Sequence, residues 1–100
     1  MSTDKSIADN ILYKLIKVAN CRIRPMFGEY VLYADNKVIG QINEGVLFIK
    51  FTKDVENWAQ DLKKASPYKG AKEAFIVPKS KLNNIRWLSV LIQLTFNGLK

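Results

Sequence analysis

The chain has one hundred residues, 48% of them hydrophobic and 25% charged, which is the balance of one globular domain rather than of a disordered segment. A single cysteine, Cys21, excludes an internal disulfide, and the absence of histidine removes the usual neutral-pH general base and the commonest zinc ligand. The formal net charge of +7 is carried by the last third, where Lys63, Lys64, Lys69, Lys72, Lys79, Lys81, Arg86 and Lys100 face only Glu73.

Such a basic region suits nucleic acid, an acidic protein surface or simply a solvated face. No apolar run reaches membrane-spanning length, and Met1–Lys5 lacks the pattern of a signal peptide. The expectation is one cytoplasmic domain over residues 1–100, with no membrane partner. Cys21 reads as a small, half-buried apolar side chain.

Periodicity predicts a first helix over Ser6–Ala19, with Ile7, Ile11, Leu15 and Val18 on one stripe. Ser6 and Asp9 are spaced like a capping box. Next comes Arg24-Pro25-Met26-Phe27-Gly28, which reads as a structural corner with Phe27 as its apolar anchor. Three β-rich runs follow, Glu29–Ala34, Val38–Ile42 and Val46–Phe51, separated by Asp35–Lys37 and Asn43–Gly45. Runs joined by short polar turns form an antiparallel meander, with Asn36 and Gly45 suited to positive φ. Lys50, among apolar neighbours, is expected to face water at a strand end.

Thr52 is placed to cap a second helix, which the spacing of Val55, Trp58, Ala59, Leu62 and Ala65 carries to Ser66-Pro67. Residues 68–73 read as a loop, and Ala74–Val77 as a short strand near a sheet edge, closed by Pro78. The last helix, Asn84–Asn97, has two apolar faces. Ile85, Leu88, Leu91, Ile92, Phe96 and Leu99 form one; Trp87, Val90 and Leu94 form the other. One face packs on a sheet, which leaves Trp87, Val90 and Leu94 either buried within the chain or as a candidate interface. The fold class is therefore α+β, a two-layer arrangement of an antiparallel meander with helices packed against it.

No glycine pattern cradles phosphate, and no acidic cluster has metal spacing, so no cofactor, metal or catalytic residue is assigned. The chain reads as a binding module rather than an enzyme.

The run from Arg24 to Asp35 resembles the N-terminal domain of the TfoX/Sxy proteins, bacterial regulators of competence genes. The matching positions are Arg24, Met26, Phe27 and Gly28, then Tyr33 and Asp35, then Lys50 within Leu47–Lys50. Phe75–Pro78 and Trp87 extend the resemblance toward the end of the chain. Glu29, Val31 and Asn36 depart from the family's glycines, and the full-length regulators have a C-terminal domain with no counterpart here. The resemblance implies an α+β fold and a regulatory role, in which the full-length proteins act with the cyclic-AMP receptor protein. A protein partner or homodimer is expected through Trp87, Val90 and Leu94. The alternative is direct nucleic-acid binding through Lys63, Lys64, Lys69, Lys72, Lys79, Lys81 and Arg86.

Overall fold

The computed structural model describes residues 2–99. Helix α1 spans Lys5–Leu15 and is followed by four strands: β1, Cys21–Met26; β2, Glu29–Ala34; β3, Lys37–Asn43; and β4, Val46–Lys50. Helix α2, Lys53–Trp58, leads to the two-residue strand β5, Lys64–Ala65, and to β6, Ala74–Ile76. One 3-10 turn, Lys79–Asn83, precedes helix α3, Ile85–Gly98. Every strand pair is antiparallel, in the order β1-β2-β3-β4-β6-β5. The chain is thus an α+β fold with one open six-stranded sheet.

Alternation decides which sheet face is covered. Ile23, Leu32 and Gly40 are aligned across β1, β2 and β3, and Gly40 continues in register to Ile49 and Phe75. Leu32, Ile49 and Phe75 join Ala8, Ile11 and Leu15 of α1 and Leu88, Leu91 and Ile92 of α3 in one buried cluster. The helices therefore lie on this face. The opposite face carries Arg24, Val31, Gln41, Phe48 and Ile76 in a row across the sheet. A register shift between Leu32 and Tyr33 leaves Ile39 as an extra, fully buried residue on β3. Beside it Gly40 is indispensable: a Cβ there would stand 2.1 Å from the Phe48 carbonyl oxygen.

Several expectations are corrected. Helix α1 ends at Leu15, four residues early, because Val18 and Ala19 both donate to the Leu15 carbonyl and tighten the chain. Its N-cap is Asp4, without a side-chain cap bond, and Asp9 pairs with Lys5 at 2.7 Å instead of completing a box with Ser6. The buried stripe is Ala8, Ile11 and Leu15, while Ile7 and Ile16 are exposed.

The Arg24–Gly28 corner is the end of strand β1 and a two-residue turn, Phe27 at φ 51° and Gly28 at φ 81°. Phe27 anchors nothing within the chain, being 98% exposed. At the next turn the positive φ falls on Asp35, not Asn36. Thr52 does cap α2, accepting from Val55 N at 3.3 Å, but the helix stops at Trp58. Past it Lys64 and Ala65 pair with Phe75 and Ala74 instead. That pairing adds an outermost strand, so β6 lies one place in from the edge.

Candidate functional site

Asn84 starts α3 by accepting from the Trp87 backbone N–H at 3.0 Å. Leu88, Leu91, Ile92 and Thr95 face the sheet, while Val90 is 40% exposed. Trp87 is half-buried because α2 supplies a partner: the Trp58 and Trp87 rings lie 5.3 Å apart and tilted by 36°. Lys81 Nζ sits 5.4 Å from the Trp87 ring. Leu94 is partly buried against the core cluster. The three interface candidates thus differ in use: Trp87 and Leu94 are partly spent on intramolecular packing, and Val90 is open.

Trp58, read from sequence only as part of the apolar spacing of the second helix, joins this surface, and Ile85, expected on the packed face, is half-exposed at the helix start instead.

The candidate nucleic-acid residues are spread over separate elements. Lys63 and Lys64 lie at β5, Lys69 and Lys72 in the following loop, Lys79 and Lys81 in the 3-10 turn, and Arg86 in the first turn of α3. Lys64 is tied to Glu56 at 2.6 Å, and Glu56 also meets Lys53 at 3.4 Å. The hydrogen bond from Lys64 lowers the Glu56 pKa and raises that of Lys64.

The positions shared with the TfoX/Sxy pattern concentrate in the β1–β2 hairpin. Arg24 stands opposite Val31 on the open face, and Met26 stands opposite Glu29. Tyr33 carries the Arg22 guanidinium 4.0 Å above its ring. Asp35 accepts from the Asn20 side chain at 3.2 Å, and its backbone N–H donates to the Asn20 carbonyl. Lys50 is exposed at the end of β4.

A concavity lies on the open face, between the Phe27–Gly28 turn and the loop at Pro67–Tyr68. Its volume is about 610 Å³, and its lining includes Met26, Phe27, Glu29, Val31, Gln41, Asn43, Glu44 and Tyr68. Thr3 braces the end of the groove. Its hydroxyl donates to Glu29 and accepts from Gly45 N, while Glu44 N donates to the same Glu29 oxygen. Sequence reading did not assign Asn43 or Glu44 to a site, since only folding brings the two turns and the Tyr68 loop together.

Among the described residues, no helix is long and apolar enough to cross a membrane. With hairpin, sheet order and closing helix in place, the chain matches the TfoX N-terminal domain over residues 14–98. It belongs to that family. It is also 32% identical, over 76 residues, to a protein from Spirochaeta aurantia described as an uncharacterized 12.7 kDa protein in the trpE 5′ region. That match takes in 76% of this chain and 66% of the relative, just under two thirds of the latter's length. The matched residues take in the β1–β2 hairpin, the rest of the sheet and α3.

Proposed function

We propose that this TfoX-type domain is a non-catalytic regulatory module that works by holding a protein partner, or a second copy of itself, on its α2–α3 surface. The observation behind this reading is the Trp58–Trp87 pair, continued along α3 by Val90. Trp58 and Val90 keep 38% and 40% of their surface exposed. Trp87, Val90 and Leu94 follow one another at spacings of three and four, the stripe with which a helix meets another chain. Large aromatics that are half-covered and rigid are the residue type on which binding energy concentrates.

The role in competence regulation that the family suggests belongs to this proposal as well. The test is Val90→Asp, an exposed position whose change leaves the core intact. Light scattering over a range of concentrations, with chemical cross-linking in the native host, should show a complex for the wild type. The aspartate variant should lose it while keeping its circular dichroism. Identical mass and cross-linking patterns for both proteins would sink the reading.

A further inference from the structure

We propose that the groove on the open sheet face is a second binding site, which takes an arginine side chain from an extended segment of a partner protein. It lies on the sheet face opposite the helices, and it stands independently of the α2–α3 surface. Its volume, about 610 Å³, falls within the range of formed ligand sites.

Charge identifies the occupant. Among the described residues, the charged side chains lining the groove are Glu29 and Glu44, in a chain whose net charge is +7. A site of that sign repels phosphate and draws cations. The walls are apolar and aromatic: Phe27 is 98% exposed, Tyr68 59% and Met26 48%. Aromatic faces beside carboxylates hold a guanidinium through cation–π attraction and ion pairing together.

A separate observation lies on the floor. Asn43 is only 8% exposed, and its Nδ2 donates to the Pro67 carbonyl at 3.3 Å. That bond fixes which way the amide points, and it leaves Oδ1 buried with no donor. A buried acceptor of this kind calls for a partner. The Pro67–Tyr68 loop stands over it, and this loop lies outside every strand and helix. Oδ1 is closed to solvent, so a guanidinium reaches it only by lifting the Pro67–Tyr68 loop; it then brings five N–H donors in a planar fork, enough for Oδ1, the Gln41 amide and a carboxylate. An ammonium or a neutral apolar group satisfies fewer of these.

The experiment is a nitrogen-15 NMR titration with an acetylated leucine–arginine–leucine tripeptide amide, run beside its glutamate counterpart. Shifts are expected at Met26–Glu29, Gln41–Glu44 and Tyr68 with the arginine peptide, and none with the glutamate peptide. Glu44→Lys and Phe27→Ser change exposed turn residues, and circular dichroism checks their folding. Each should weaken binding by at least about tenfold, the loss expected when a charge or an aromatic face is removed from a cation. Val90→Asp should leave the titration unchanged, which separates this site from the helical surface. The inference is overturned by absent or scattered shifts, by equal shifts from the glutamate peptide, or by unchanged binding in both variants. Self-association lost in Glu44→Lys, with no response to the tripeptide, would place a second copy in the groove and overturn it too.

Discussion

Lys37, at the start of β3, reaches the last carbonyls of α3, its Nζ donating to Leu99 O at 2.8 Å and to Phe96 O at 2.9 Å. The same ammonium lies 4.2 Å from the Phe96 ring. A helix end leaves carbonyls without intrahelical partners and carries partial negative charge, so a lysine there satisfies both needs. Lys37→Met keeps the aliphatic stem and removes the donor. It should cost about 1–2 kcal/mol, read as a lower urea midpoint at unchanged slope.

Gly40 and Gly70 should respond differently to alanine. At Gly40 the new Cβ meets backbone oxygen of the adjacent strand, and β3 and β4 would have to separate. Gly40→Ala is expected to cost more than about 3 kcal/mol or to prevent folding, judged by the yield of soluble protein and by thermal melting. At Gly70, φ is 90° but nothing lies within 4 Å. Gly70→Ala should cost only about 1 kcal/mol, from backbone strain alone.

Phe27 combines a positive φ of 51° with nearly full exposure, so the fold gains little from it. Phe27→Asn suits the left-handed conformation and should raise stability by about 0.5–1 kcal/mol. The same variant should lose the arginine-peptide response. A gain in melting temperature paired with a loss of binding is the pattern of a residue kept for function.

Burial, reinforced by the nearby Asp35 carboxylate, pushes the Cys21 thiol up to about 11. The folded protein should react with thiol reagents at pH 8 far more slowly than the urea-unfolded chain. The unfolded thiol loses its proton at lower pH than the folded one. The contribution of Cys21 to stability is therefore full below the unfolded value and lost as pH rises through about 11. Wild type and Cys21→Ala, melted across alkaline pH, should converge as the wild type loses this contribution.

Trp58→Ala removes the ring that covers Trp87 and opens the α2–α3 seam. A loss of about 2–3 kcal/mol is expected, combining lost burial with the aromatic pair. A change in near-ultraviolet circular dichroism should accompany it. An unaltered spectrum would show that the two indoles do not pair in solution.

What the sequence by itself determined was whatever local pattern carries. The β-rich runs Glu29–Ala34, Val38–Ile42 and Val46–Phe51, broken by short polar turns, pointed to a meander, because strand propensity and turn chemistry are properties of neighbouring residues. The cap at Thr52, the extent of α3 and the segregation of charge into the last third were legible for the same reason. Tertiary structure decided the rest. Strand β1 is hidden in sequence because its outward residues, Arg22, Arg24 and Met26, belong to an edge strand whose open face needs no apolar side chains. Helical spacing continued through Leu62 and Ala65, yet pairing with β6 took Lys64 and Ala65 into the sheet. Such pairing joins residues far apart in the chain, and periodicity does not record it. Whether Trp87 was covered depended on Trp58, and whether Glu29, Asn43 and Tyr68 met depended on three separate segments closing over one sheet face. Local chemistry set most of the elements; the sharing of surface among distant elements set β5, the α2–α3 surface and the open-face groove.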